Sequence, residues 1–198
     1  MDFISKADRE LSLFLNHFGA PELDALMILW SSRWVWLPLY GILLAWMFKQ
    51  WKGRRFLFSV IAVAAIILLA DQTASTLFKP LFARLRPCHD PQLLPLLHLP
   101  DGCGGQFGFA SSHAANTMAL AVFFALMPLR FRRSYVWMPL IFWSLLSGWS
   151  RIYLGFHFAG DVLAGYAIGG FWAAFMHFML RRFRFFDGNS AENSLSVK

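Results

Sequence analysis

FLFSVIAVAAIILLADQTASTLF, from Phe56 to Phe78, holds one charge, Asp71, in 23 residues and ends directly on Lys79. Soluble cores seldom need so long an apolar run, whereas a bilayer-crossing helix needs about 20 residues. Four further runs have the same character: Ser32–Phe48, Ala114–Leu129, Tyr135–Trp149 and Phe158–Leu180. Hydrophobic residues make up 58% of the 198 and charged ones 15%, against about 25% charged in an ordinary soluble domain. Many of the nine tryptophans stand near the ends of the runs, where membrane interfaces favour them. The expected fold class is an all-α integral membrane protein: a bundle of five transmembrane helices, or six if Leu11–Trp30 also enters the bilayer.

Ahead of these runs, Phe3, Ile4, Ala7, Leu11, Phe14, Leu15 and Phe18 recur at three- and four-residue steps, with Asp2, Lys6, Arg9 and Glu10 between them. That period predicts an amphipathic helix lying on the membrane surface, ended by Gly19-Ala20-Pro21. No cleavable leader is expected, because Asp2, Asp8 and Glu10 lie where its basic segment would be. One membrane-embedded domain is expected over 1–186, with 1–20 as the interfacial helix and 80–110 as an external loop. The polar tail, 187–198, is expected to lack fixed structure.

The formal charge of +7 does not point to nucleic acid, because the basic residues sit in short loops between apolar runs. Lys49, Lys52, Arg54 and Arg55 join the first two spans; Arg130, Arg132 and Arg133 join the third and fourth; Arg181, Arg182 and Arg184 follow the fifth. Five spans put all three groups on one face, which holds ten of the eighteen basic residues. Such an excess marks the cytoplasmic side. Lys79–His113 and Arg151–His157 are then expected on the opposite, extracytoplasmic side. The loop Pro80–Ala110 carries five prolines and both cysteines, Cys88 and Cys103. An oxidising compartment would favour a disulfide between them over two free thiols. Closing a loop of about 16 residues is worth on the order of 3 kcal/mol.

Three polar clusters remain on that side: Lys79 with Arg86-Pro87, Ser111-Ser112-His113, and Arg151 with His157 and Asp161. Together they offer three cations, two imidazoles and one carboxylate. A phosphomonoester carries about 1.5 to 2 negative charges at neutral pH. Lys79, Arg86 and Arg151 supply charge and donors to hold it. Ser111 and Ser112 precede an apolar run, so they suit a helix N-cap, and a helix start also favours an anion. His157 and Asp161 are four residues apart, one helical face. The carboxylate can fix the ring tautomer and leave the other nitrogen as a nucleophile, with His113 left to protonate the leaving oxygen. Arg84 reads equally as an interfacial anchor or a site residue. Asp71 reads either as a partner supporting a site cation or as a helix-packing contact. Gly165 and Gly169 have the spacing of close helix packing.

These residues resemble the type 2 phosphatidic acid phosphatase superfamily. Lys79 to Pro87 is similar to its first motif, Lys, six residues, Arg-Pro. Ser150 to Asp161 is similar to its third, Ser-Arg, five residues, His, three residues, Asp. The middle motif, usually Pro-Ser-Gly-His, stands here as Ala110-Ser111-Ser112-His113. The replacement of Gly by Ser112 would restrict that backbone if it needed positive φ, and Ala110 in place of Pro would loosen the turn. The resemblance implies a membrane lipid as substrate and no metal or cofactor. His157 would attack phosphorus to form a phosphohistidine, Asp161 would hold His157, and His113 would serve as acid and then base. Lys79, Arg86, Ser111, Ser112 and Arg151 would bind phosphate. The substrates it implies are undecaprenyl diphosphate, towards which the expectation leans, lipid A phosphates, phosphatidylglycerophosphate and phosphatidic acid. Transfer to an acceptor hydroxyl and non-catalytic binding of anionic lipids are the alternatives. The expected location is a bacterial inner membrane with the site facing outward.

Overall fold

The computed structural model describes residues 3–127, 134–183 and 185. Among them every regular element is helical: α1 (Phe3–Asn16), α2 (Pro21–Ser31), α3 (Leu37–Gln50), α4 (Gly53–Gln72), α5 (Lys79–Phe82), α6 (Ser112–Leu126), α7 (Ser134–Tyr153) and α8 (Ala159–Arg182). The five longer apolar runs coincide with α3, α4, α6, α7 and α8. Two stretches, Gly53–Phe82 and Ala159–Arg182, are long and apolar enough to cross a membrane, and α2 with Arg33–Gln50 makes a third if a pair bent by 63° is one span. α6 is only 15 residues long. It stops at Leu126 because Met127 precedes Pro128, and a residue before proline is driven out of α conformation; Met127 is extended, with ψ 141°. Leu11–Trp30 is not one helix: α1 ends at Asn16 and Pro21 starts α2.

α6 is the central helix, packed on α8, α7 and α4. Ala114, Ala115, Ala119 and Ala121 are fully buried on it. Gly165 and Gly169 of α8 face this alanine stripe so closely that a Cβ would lie 2.4 Å from the Ser111 carbonyl oxygen at the first and 2.1 Å from the Ala115 carbonyl oxygen at the second. Small residues on both sides let the two backbones approach.

α1 turns one side to the bundle and the other outward. Its polar stripe, Asp8, Ser12 and Asn16, packs against the protein, with Ser12 and Asn16 buried. Phe3, Ile4, Phe14 and Phe18 are exposed. The amide of Asn16 donates to the carbonyls of His98, Ile152 and Tyr153 at 3.0, 3.2 and 2.7 Å. At the far end of the bundle from these contacts lie Lys49, Lys52, Arg54, Arg55, Arg181 and Arg182. Arg130, Arg132, Arg133, Arg184 and the tail 187–198 lie outside the described residues.

Replacing Gly169 by Ala should force α6 and α8 apart and destabilise the protein by about 1–3 kcal/mol. Thermal unfolding in detergent checks this, with Gly170→Ala, where a Cβ meets open space, as the unaffected control.

Candidate active site

The site forms where four helix ends meet. α4 passes into a π-helical turn, Thr73–Phe78, directly before Lys79. That turn re-aims the chain, so Lys79 opens α5 at the end of the bundle. Ala83 ends α5 in the left-handed conformation, φ 44°, and the chain then runs extended. Arg84 and Arg86 are two residues apart on it and share one face. Two backbone hydrogen bonds hold this stretch: Gly108 N–H to the Arg84 carbonyl at 2.9 Å and Arg86 N–H to the Gln106 carbonyl at 3.0 Å. Cys88 and Cys103 are joined in a disulfide, Cα–Cα 5.8 Å, which ties the Arg86 strand to the return segment.

The starts of α6 and α8 are joined by the Ser111 N–H, which donates to the Asp161 carbonyl at 3.0 Å. Ser111 is wholly buried, and its hydroxyl caps α6 through the Ala114 N–H at 3.5 Å. Ser112, not Ser111, reaches the cavity beside His113. Ser112 is the first residue of α6 and needs no positive φ; the only non-glycine residue with positive φ among those described is Ala83. The substitution in the middle motif therefore carries no backbone strain. Ala110 is fully buried.

His157 lies in the short connection between α7 and α8, 2% exposed. Its Nδ1 is 3.6 Å from Oδ2 of the fully buried Asp161 and makes no hydrogen bond. Asp161 Oδ2 accepts the Phe158 N–H at 2.9 Å, and Oδ1 accepts from Arg84 at 2.8 Å. Gly108 permits this crowding: a Cβ there would stand 2.9 Å from Asp161 Oδ2 and 3.2 Å from Arg86 Cγ. Burial pushes the His157 imidazole down to about 4, against the opposing pull of the Asp161 carboxylate.

The cations converge around Phe156. The Arg151 guanidinium lies 4.3 Å from its ring centroid and that of Arg86 6.0 Å. Arg151 donates to Ser31 Oγ, while its buried Nε has no acceptor among the described residues. Arg86 Nε donates to the Phe107 carbonyl at 3.2 Å. Lys79 and Arg86 line one open cavity with Ser75, Thr76 and Gln106. Lys79, Arg86 and Arg151 are near enough to repel one another, and an anion placed among them would relieve that repulsion. Asp71 makes no salt bridge among the described residues, but it lies near enough to Lys79 to offset part of the repulsion on it. It accepts from the Asn116 amide at 3.1 Å, because it faces α6 across the bundle, and it lines the cavity that also holds His113.

This arrangement can hold a doubly charged tetrahedral anion and present a neutral imidazole to it. Over residues 53–185, about two thirds of its length, the sequence matches the PAP2 superfamily. The chain belongs to that superfamily. It is 33% identical over 184 residues to the Lipid A 4'-phosphatase of Bacteroides thetaiotaomicron, covering 92% of this chain and 80% of that one. It is 36% identical over 173 residues to the Lipid A 4'-phosphatase of Porphyromonas gingivalis, covering 85% and 71%. The fold is similar to the crystal structure of the first transmembrane PAP2 type phosphatidylglycerolphosphate phosphatase from Bacillus subtilis, with TM-score 0.67, 24% identity and coverage of 92% and 88%.

Within this PAP2 site, several residues had no reading in the sequence. Arg33 lines the His113 cavity from the bend between α2 and α3. Phe156 is the hydrophobic post between two guanidiniums. Asp8 and Ser12 bind the first amides of α8: Gly160 N–H donates to Asp8 Oδ1 at 2.7 Å and Ala159 N–H to Ser12 Oγ at 2.8 Å. The four-residue spacing of Asp8, Ser12 and Asn16 was the available signal. Arg84, read equally as an interfacial anchor or a site residue, lies on Asp161 and Asp8.

The depressed basicity of His157 has a measurable consequence. In the unfolded chain an imidazole titrates near 6.5, so between about pH 4 and pH 6.5 the unfolded PAP2 chain binds more protons than the folded one. Stability contributed by the neutral ring is complete above that window and declines as pH falls through it. His157→Asn should flatten this part of the stability–pH curve, measured by thermal unfolding at pH 4.5, 5.5 and 7.

Proposed function

We propose that this chain removes a phosphomonoester from the sugar head group of a lipid of the lipid A type, at the extracytoplasmic face, through a phosphohistidine. As a PAP2 member it is a lipid phosphatase. The observation that carries the proposed chemistry is the buried His157, with Nδ1 facing Asp161 at 3.6 Å and Arg86 and Arg151 close enough to act on it. His157 Nε2 attacks phosphorus as the bond from phosphorus to the lipid oxygen breaks. Lys79, Arg86 and Arg151 hold the charge spreading over the equatorial oxygens. His113 gives its proton to the departing lipid oxygen. It then takes one from water, whose oxygen attacks phosphorus, freeing His157 and inorganic phosphate.

Two features favour a glycolipid phosphate over the polyprenyl diphosphate towards which the sequence leans. Both relatives described above are named for the lipid A 4'-phosphate. The cavity beside His113, about 440 Å³, is walled by Trp30, Trp34 and Trp36 together with Asp71, Asn116 and Arg33. Flat aromatic faces suit the apolar faces of a sugar ring, and polar groups suit its hydroxyl edges. Tyr40 belongs both to this cavity and to an apolar groove lined by Leu43, Met47, Val63, Ile67 and Phe124. That continuity supports a head group beside His113 and a hydrocarbon chain running into the bilayer along α3 and α4. A bundle of five helices, with the outward phenylalanines of α1 set in the lipid surface and the basic loops cytoplasmic, completes the proposal.

Purified protein in detergent should release inorganic phosphate from lipid A without added metal, and faster than from undecaprenyl diphosphate, phosphatidylglycerophosphate or phosphatidic acid. His157→Ala should abolish release. Full turnover by that variant would refute the nucleophile, and a faster rate on undecaprenyl diphosphate would overturn the substrate class.

A further inference from the structure

We infer that Asp8 and Arg84 are positioning residues for the reaction: α1 reaches through them to set the orientation of the Asp161 carboxylate, and with it the His157 ring. This rests on the reading of His157 as nucleophile given above.

The geometry is a continuous chain of charges. One Arg84 nitrogen lies 2.8 Å from Asp161 Oδ1 and the other 2.5 Å from Asp8 Oδ2. The same guanidinium stacks on Phe158, 4.1 Å from the ring centroid. Its plane is therefore fixed on three sides. Asp8 is fixed in turn, because its second oxygen accepts the Gly160 N–H at 2.7 Å. Next to it, Ser12 takes the Ala159 N–H. The whole start of α8, which carries Asp161, is thus held by side chains of a helix about 150 residues away in sequence.

The consequence for chemistry lies in which oxygen does what. Arg84 occupies Oδ1. That leaves Oδ2 to face the Phe158 N–H and His157 Nδ1. Without Arg84 the carboxylate is held by the Phe158 N–H alone and can turn about its Cβ–Cγ bond, and His157 Nδ1 loses the oxygen that faces it at 3.6 Å. Arginine suits this post because its planar fork binds two carboxylates at once, which a lysine point charge cannot do in one plane. A merely structural ion pair would not need to be shared with the carboxylate that faces His157 Nδ1 at 3.6 Å.

Gly160 separates positioning from folding. A Cβ at this position would lie 2.9 Å from Asp8 Oδ2, so Gly160→Ala pushes Asp8 away from Arg84. Alanine also has the higher helix propensity, so the replacement does not weaken α8 itself.

The test compares Asp8→Asn, Arg84→Gln, Arg84→Lys and Gly160→Ala with the parent protein, using lipid A in mixed micelles and measuring kcat, KM and melting temperature. Expected is a roughly 10- to 100-fold fall in kcat with KM changed less than about threefold. Asp8→Asn should cost little more in the Arg84→Gln background, since both act through one carboxylate. Asp8→Glu should recover part of the loss, and Glu10→Gln, on the exposed side of α1, should match the parent. Imidazole nitrogen chemical shifts give a second readout that needs no turnover. The parent should show His157 as the single tautomer protonated on Nδ1, and Asp8→Asn and Arg84→Gln should show a mixture. Parent-like kcat in the four loss variants, loss only in proportion to unfolded protein, or an unchanged His157 tautomer overturns the inference. If His157→Ala remains active, it is instead the assignment of the nucleophile that fails, and the tautomer measurement still decides whether Asp8 and Arg84 orient the ring.

Discussion

The approach of α6 to α8 is the constraint on which the site depends. Gly165 and Gly169 leave no room for even one carbon between the two backbones, and the Ser111 N–H closes the gap at the outer end by donating to the Asp161 carbonyl. His113 begins one of these helices, and Asp161 the other. Any widening would move His113 and Asp161 apart, because each stands in the first turn of its helix. Leucine or valine pairs at this contact would bury more apolar surface, but they would also separate the helices by the width of a side chain. Close approach is here a matter of placing atoms, with packing energy a secondary return.

Around that junction, charge is arranged in two layers. Lys79 and Arg86 line an open cavity, and with Arg151 they repel one another, a repulsion offset in part by Asp71 for Lys79, Asp161 for Arg86 and Asp101 for Arg151. Arg84 is directed onto Asp161 and Asp8. Two arginines only two residues apart thus do opposite jobs, one towards an anionic ligand and one towards the protein's own carboxylates. The extended backbone between Ala83 and Pro87 makes this division possible. It sets both side chains on one face, and Gly104 and Gly108 leave space for the Arg86 side chain at either end.

Much of this was legible in the sequence because membrane proteins spend polar residues sparingly. Lys79, Arg86, His113, Arg151, His157 and Asp161 stand out against apolar runs, and the runs themselves mark α3, α4, α6, α7 and α8. Less legible were contacts whose partners are remote in the chain. Asp8 looked like one of several charges on the polar side of a surface helix, and nothing local says that it meets Gly160. Ser111 was read both as a helix cap and as a phosphate ligand. A serine before a helix serves as a cap or as a ligand with the same local pattern, and only its complete burial assigns it to the cap. Asp71 reads as a costly buried charge, but the amide that relieves the cost, Asn116, lies on another helix.

In α1 the apolar period was read as the face of a helix lying on a membrane surface, and that face is turned away from the protein. What the period did not reveal is the work of the polar stripe, which binds backbone amides and carbonyls at the outer ends of α7 and α8. In water such a helix would be poorly placed, with Phe3, Ile4, Phe14 and Phe18 uncovered. Against a lipid surface the same arrangement is favourable on both sides at once. With α1 on the lipid surface, as proposed above, lipid and the Asp8–Arg84–Asp161 chain would be held by opposite faces of one helix.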